Sequence, residues 1–274
     1  TVKDSIKRIA KLNPDLVLPI IGCDQNFAYR NKLEYSFSNK RWITQEEAAG
    51  DTVIEQPGAL GFHRPGSFVK IVDIEQCLLQ DDFSNEIRNF VRSFAHKNSF
   101  TFYDTRAQKG FLRNMIVRNS TQNEWMVIMI FGHHDDEKIP FMMTAILEKF
   151  PQITSLNYVI NVKVNDTIFD REVKVWSGQP YIVEKLHDVK YQIGPKSFFQ
   201  TNPRQALRLF NIAVGFAELK VSDNVYDLYT GLGSIALYIS GKVKNVTGIE
   251  EIPEAIADAN INKDLFEWVI ENLM

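Results

Sequence analysis

The sequence predicts an α+β domain followed by a Rossmann-like α/β domain that stops after its first βαβ unit. Three observations carry this reading. Period-two apolar runs fill most of the first two-thirds of the chain, with two helical stripes set among them. Near Gly194 the pattern changes to alternating helix and strand. Within that second part, Val225-Tyr226-Asp227-Leu228-Tyr229-Thr230-Gly231-Leu232-Gly233-Ser234-Ile235-Ala236 reads as a buried strand, a tight glycine turn and a helix start.

Composition bounds the function. The 274 residues suffice for two ordinary domains, and 45% hydrophobic with 24% charged residues is a soluble globular balance. Apolar runs fall far short of a membrane span and no signal-peptide pattern opens the sequence. Two cysteines, Cys23 and Cys77, cannot build a disulfide scaffold, so a reducing cytoplasm is expected. A net charge of −3 argues against general charge-driven binding to nucleic acid and leaves room for a local basic face. Thr1 at the first position suggests a processed or excised chain.

Taken in order, Val2, Ile6, Ile9 and Ala10 lie at helical spacing among Lys3, Lys7, Arg8 and Lys11. They predict a leading helix within residues 1–18, ending near Asn13-Pro14 and packing on the second domain. Residues 19–193 form the α+β domain, and the pattern from Leu16 to about Lys190 is mostly strand-like. Strands are expected at 35–38, 69–74, 111–117, 125–131 and 157–164. One helix carries Ile87, Phe90, Val91 and Phe94 behind Ser84 as N-cap, and another spans 139–150.

Residues 194–274 form the second domain. Asn202 caps a helix with Pro203 in its first turn and Leu207, Phe210, Val214 and Ala217 as its buried face. Strand 224–229, the glycine turn, helix 234–240, strand 245–249 and helix 253–262 complete a βαβ unit. Leu265, Phe266, Val269, Ile270 and Leu273 again have helical spacing, and either this helix or further strands should cover the apolar surface of the short sheet.

Gly231-x-Gly233-x-x-Ala236 fits the loose dinucleotide fingerprint, and Glu250 ends the next strand nineteen residues after Gly231. A carboxylate there can accept both ribose hydroxyls. Nicotinamide, flavin and S-adenosylmethionine (SAM) proteins share this pattern. Asp227 at the strand end would repel a pyrophosphate and suits a cofactor carrying a cation, which favours SAM. The alternative is that Asp227 only caps local backbone.

A second motif, Lys196-Ser197-Phe198-Phe199-Gln200-Thr201-Asn202-Pro203, sharpens the choice. With Tyr29-Arg30-Asn31-Lys32, Gly61-Phe62-His63, Gly110-Phe111-Leu112-Arg113-Asn114 and the segment 161–166, it resembles the RNA uracil-5-methyltransferase family. The resemblance runs roughly from Pro19 to Asn262. It implies SAM as cofactor, held by Gln200, Tyr229, Ser234 (where the family often has Asn) and Glu250, with Asp227 and Gly231 shaping the pocket. It also implies an RNA partner rather than DNA or a membrane. Thr230 stands where the family often has Cys.

Arg30, Lys32, Lys40, Arg41, His63, Arg64 and Lys70 run among Phe27, Tyr29, Tyr35, Phe37, Trp42, Phe62 and Phe68. Cations with aromatics are what single-stranded RNA needs, although a solvated strand face over an aromatic core has the same composition. For Arg30, Lys32 and Arg113 the resemblance implies RNA contact.

Methylation of uracil C5 in this family uses a Cys thiolate added at C6 and a Glu base. The family's Ser-Cys-Asn-Pro and Asp-Pro-Pro-Arg segments do not occur in this sequence, and neither does its C-terminal base segment. No catalytic residue is therefore assigned. The surroundings of Cys77, Asp73-Ile74-Glu75-Gln76-Cys77, resemble those of the fourth iron–sulfur ligand in the ribosomal-RNA branch. Cys77 would be an orphan ligand here, with a cluster possible only in a fuller chain; a buried small hydrophobe is the other reading. His133-His134-Asp135-Asp136 reads as a loop rather than a metal site.

The expected function is SAM-dependent methylation of uracil C5 in RNA, in 23S ribosomal RNA by the resemblance, with this polypeptide as written inactive. A non-catalytic RNA- and SAM-binding fragment is the rival. An NAD-dependent oxidoreductase rests on the glycine turn alone.

Overall fold

The computed structural model describes residues 1–49, 58–67 and 69–265. Phe68, Phe266, Val269, Ile270 and Leu273, named above, lie outside the described residues. Helix α1 (Val2–Ser5) continues as a π-helical turn over Ile6–Ala10. None of its residues is buried, so the expected packing of a leading helix on the second domain is not formed. Residues 17–31 form no strand either. Their apolar side chains imitate one, but the backbone bonds leave singly, from Ala28 and Arg30 to the carbonyls of Leu78 and Leu79.

The first large unit comprises β1 (Lys32–Ser38), α2 (Gln45–Ala48), β2 (Ala59–His63), β3 (Ile71–Asp73), α3 (Asp82–Lys97) and β4 (Leu112–Asn119). It continues through β5 (Trp125–Phe131), α4 (Lys138–Lys149), β6 (Ser155–Ile160) and β7 (Lys174–Gly178). Seven strands make one sheet in the order β3-β2-β1-β4-β5-β6-β7. All neighbours are antiparallel except β5 and β6, which α4 joins as a parallel crossover.

Every residue of β5 is buried, because the sheet is covered on both faces. Leu33, Tyr35, Met115, Val117, Val127 and Met129 meet Ile87 and Val91 of α3 and Met142 and Ile146 of α4. Each such fully buried side chain stabilises the fold by about 1.5–3 kcal/mol. Ser84 is not the N-cap of α3. Asp81 is, accepting the Phe83 N–H at 3.0 Å, while Ser84 lies inside the first turn with its hydroxyl 3.1 Å from that of Tyr35.

The opposite face packs on the rest of the chain. Hairpin strands β8 (Ile182–Leu186) and β9 (Val189–Ile193) contribute Ile182, Tyr191 and Ile193 to a core containing Ile116, Ile128 and Val159. Phe210 of α5 (Pro203–Ala217), Leu232, and Leu237 of α6 (Ser234–Ser240) belong to the same cluster. The core is therefore continuous across position 193. Strands β10 (Asn224–Leu228) and β11 (Asn245–Ile249) pair in parallel, and α7 (Pro253–Leu265) follows them. Of the face expected for α5, Phe210 is buried, but Ala217 is exposed and Ala206 takes a buried place.

Candidate cofactor and RNA site

The glycine turn between β10 and α6 departs from ordinary backbone. Tyr229 has φ 62°, Gly231 φ 58° and Gly233 φ 88°, a left-handed region costly for a side chain such as tyrosine's. Tyr229 is 87% exposed, so its own side chain does not hold it there. Four neighbours impose the shape. Thr230 donates its N–H to Ile249 O at 3.1 Å. Asp227 Oδ2 accepts the Thr230 hydroxyl at 2.7 Å and the Ala236 N–H at 3.1 Å. Glu250 Oε2 accepts the Gly231 N–H at 2.9 Å. Asn262 of α7 donates to Leu232 O at 3.3 Å.

Asp227 thus braces the turn and caps the start of α6, the local role weighed for it from sequence. Burial raises its carboxyl above the usual range, partly offset by the Thr230 hydroxyl and the Ala236 N–H. Glu250 is the reverse case. N–H donors from Ile252, Gly231 and Glu251 hold its carboxyl below the usual value. A carboxylate oxygen has two lone pairs, so Glu250 keeps acceptor capacity for a diol.

Beside Gly231 lies a mostly apolar cavity of about 430 Å³, walled by Leu232, Ile252, Ala255, Phe169 and Phe198. Gln200 does not line it. That side chain lies instead on a groove along α5 with Pro19, Ile21 and Gln205. Asn31 fixes the intervening segment, donating its N–H to Thr201 O and its side-chain amide to Gln200 O. Ser234 is only partly buried, and its carbonyl accepts the Tyr191 hydroxyl at 2.9 Å. The structure therefore brings Gly231, Asp227 and Glu250 together and sets Gln200 apart.

Sequence reasoning missed Asn262, which is fully buried and also bonds Gln192 of β9 through both N–H and carbonyl. It missed Asp258 as well, which accepts the Ser197 hydroxyl and so ties α7 to the Ser-Phe-Phe-Gln segment. Neither residue belongs to a motif. Their signal would have been polar residues four apart on a helix of weak amphipathicity.

Arg113 departs from its expected role. It is 1% exposed, and every guanidinium nitrogen donates: to the carbonyls of Asn161, Lys163, Val164 and Asn165, and to Asp166 Oδ1 at 2.9 Å. A register shift between Leu112 and Asn114 turns it towards this loop. No N–H remains for a phosphate, so Arg113 is a structural clamp rather than an RNA contact.

Arg30 and Lys32 are partly exposed and line one cavity of about 480 Å³ with Arg118 and Phe198. Tyr35 and Phe37 are buried in the sheet core, where aromatic packing explains them. Trp42 sits beneath the Arg64 guanidinium at 3.8 Å and near the Lys70 ammonium at 5.1 Å.

Cys77 is buried against the α3 core and its backbone pairs with the Asn85 amide. No group of three or more His, Cys, Asp or Glu suited to a metal is present among the described residues. Cys77 fits the buried-hydrophobe reading, and no second ligand for an iron–sulfur cluster stands with it among the described residues. Asp135 accepts the N–H groups of Glu137 and Lys138 at the start of α4, which marks that run as a turn. Among the described residues no helix is long and apolar enough to cross a membrane.

The fold defined by the sheet, the hairpin and the βαβ unit is shared with a solved structure. This is the Pyrococcus abyssi tRNA (uracil-54, C5)-methyltransferase in complex with S-adenosyl-L-homocysteine, at TM-score 0.74 and 24% identity. The match covers 99% of this chain and 61% of that one. In sequence the chain is similar to proteins named uncharacterized RNA methyltransferase. That of Bacteroides thetaiotaomicron is 46% identical over 97% of this chain and 59% of its own length. That of Porphyromonas gingivalis is 45% identical over 95% and 57%. The chain thus spans under three-fifths of the length of these curated relatives. No protein-family model matches it.

Proposed function

We propose that the chain is the RNA-binding and cofactor-binding part of a SAM-dependent RNA uracil-5-methyltransferase. The observation that carries this reading is the bond from Gly231, which lines the apolar cavity, to the Glu250 carboxylate. Glu250 would take the ribose diol, and Leu232, Ile252 and Ala255 offer an apolar wall for the adenine. Asp227 keeps the turn in shape, and Tyr229 stands exposed beside it. SAM, when bound, supplies an electrophilic methyl group on a sulfonium. The similarity to proteins named RNA methyltransferase and the fold shared with a uracil-C5 methyltransferase support the same reading.

Transfer to uracil C5 needs a thiolate beside the cofactor. Cys77 is buried in the α3 core, and Cys23 is bonded to the Gln25 carbonyl on the N-terminal segment. We therefore assign this polypeptide binding rather than turnover. The 23S ribosomal substrate is the finer part of the proposal, supported by the sequence around Cys77. The fold neighbour is a tRNA methyltransferase, which makes transfer RNA the comparison.

Calorimetric titration with S-adenosyl-L-homocysteine and with NAD tests the cofactor assignment. Saturable binding of the first alone is expected, and preference for NAD would overturn it. Incubation with labelled SAM and uracil-containing ribosomal or transfer RNA should give no transfer. Robust labelling would refute the assignment of binding without turnover.

A further inference from the structure

Residues 194–201 form neither helix nor strand, yet they are held from two directions. Arg118, near the end of β4 and 2% exposed, donates Nη1 to the carbonyls of Gly194 and Ser197 at 2.8 and 2.9 Å. Asn31, just before β1, donates its backbone N–H to Thr201 O at 2.8 Å and its side-chain amide to Gln200 O at 3.1 Å. Both anchors come from the unit built on the seven-stranded sheet.

The third anchor comes from α7. Asp258 accepts the Ser197 hydroxyl, and that hydroxyl accepts the Gly194 N–H at 2.8 Å. One turn further on, Asn262 bonds Leu232 O of the glycine turn and both backbone groups of Gln192. Residues four apart share a helix face. A single face of α7 therefore fastens both the 194–201 segment and the glycine turn.

Ser197 is where the two sets of bonds meet. It lines the apolar cavity beside Gly231 together with Asp258, and it also lines the cavity that holds Arg30, Lys32, Glu34 and Arg118. Its carbonyl is bound to the sheet unit and its hydroxyl to α7. Charge follows the same path: burial lowers the Arg118 guanidinium to about 10, and the Asp258 carboxylate opposes that loss. A serine serving only the bend after β9 would need no more than the Gly194 N–H. The bond to Asp258, 61 residues away, serves a different element.

We propose that residues 194–201 are a strap coupling the cofactor cavity to RNA binding, with the Ser197–Asp258 bond as its pin. A ligand that settles α7 and the glycine turn also fixes Ser197 and, through its carbonyl, the end of β4. The second ligand then meets a segment already ordered, so each raises the affinity of the other by the same factor. Ser197 and Asp258 are positioning residues, acting through the strap without contact to ribose or RNA. The proposal rests on the cofactor and RNA reading above and adds to it a linkage between the two sites.

The test is a binding cycle. S-adenosyl-L-homocysteine is titrated by calorimetry with and without saturating single-stranded, uracil-containing RNA. The RNA is titrated by fluorescence anisotropy with and without saturating S-adenosyl-L-homocysteine. Each should tighten the other by the same factor, about 5–20-fold. In Ser197→Ala and in Asp258→Ala the factor should fall to about 1–2, whatever happens to the affinity of either ligand alone. The double variant should match the single ones, because all three remove one bond. Asp258→Asn keeps an acceptor for the hydroxyl and should retain most of the coupling. Melting temperatures are recorded, and all titrations run where every variant is folded. A pair that only stabilises the fold would lower melting temperature and leave the factor at its wild-type value, which would overturn the proposal. A wild-type factor of about 1 would overturn it as well. Failure of wild type to bind either ligand alone would overturn the cofactor or RNA reading, and the proposal with it. The single-ligand titrations keep that failure distinct from loss of coupling.

Discussion

The carboxylate of Glu250 accepts the backbone N–H of Gly231 at 2.9 Å, so the end of β11 holds the turn that leaves β10. On the proposed reading the same side chain that helps to shape the turn also accepts the ligand. Hydrogen bonds to a charged group are worth about 1.5–3 kcal/mol. Glu250→Ala should weaken S-adenosyl-L-homocysteine about 10–100-fold by calorimetry. Glu250→Gln keeps one carbonyl acceptor and should fall between. Equal affinity in all three proteins would show that the ribose lies elsewhere.

Arg113 and Asp166 make a different prediction. Their ion pair closes the loop after β6, and the guanidinium has no donor left over. Asp166 is half-exposed, so the loss lies chiefly in the loop carbonyls that Arg113 satisfies, at about 1–3 kcal/mol for each one left buried without a donor. Arg113→Ala should lower the urea midpoint accordingly, and Arg113→Lys should not restore it, because an ammonium cannot serve five acceptors in a plane. The salt slope of RNA binding by any folded fraction should stay at the wild-type value. A lower slope would return Arg113 to the RNA face.

These contrasts explain what the sequence could reveal. The run Trp125–Phe131 is apolar throughout because both faces of β5 are covered, and a short buried strand leaves that mark. Asn202-Pro203 marks the start of α5 because the cap and the proline act within one turn. The hairpin β8–β9 carries no glycine signal in the sequence, for its turn is made by His187 at φ 54°. Residues Leu16, Leu18, Ile20 and Ile21 suggested a strand, yet all are exposed. Arg113 could not be told from a surface cation, since a register shift decides where it points. Burial of a polar residue by tertiary contacts, as at Asn262, leaves no periodic trace.

Asn262 is the joint between three elements. Its side chain accepts the Gln192 N–H at 2.7 Å and donates to Gln192 O and Leu232 O. Asn262→Leu would leave those backbone groups buried and unpaired, at about 1–3 kcal/mol each. We expect a drop of several degrees in melting temperature and weaker S-adenosyl-L-homocysteine binding, because the Leu232 carbonyl belongs to the glycine turn. Asn262→Asp retains the acceptor alone and should restore the Gln192 N–H bond but not the turn. Full cofactor affinity in Asn262→Leu at a temperature where it is folded would uncouple α7 from the site.

Asp104 provides a pH test. Its Oδ1 accepts the N–H groups of Arg106 and Ala107 at 2.9 and 3.0 Å. Oδ2 accepts the Asn39 amide at 3.0 Å and pairs with Lys40 at 3.2 Å. The Ala107 N–H, the Asn39 amide and their neighbours hold its carboxyl well below the usual range. A depressed carboxyl contributes stability that is fully present above its unfolded value, about 3.9, and is lost as pH falls towards the folded one. Asp104→Asn removes the charge but keeps an acceptor of similar shape. Its urea midpoint should lie below wild type at neutral pH, and the gap should narrow as pH falls below about 4. A gap that stays constant down to the acid limit would mean that Asp104 acts through the shape of its turn and not through its charge.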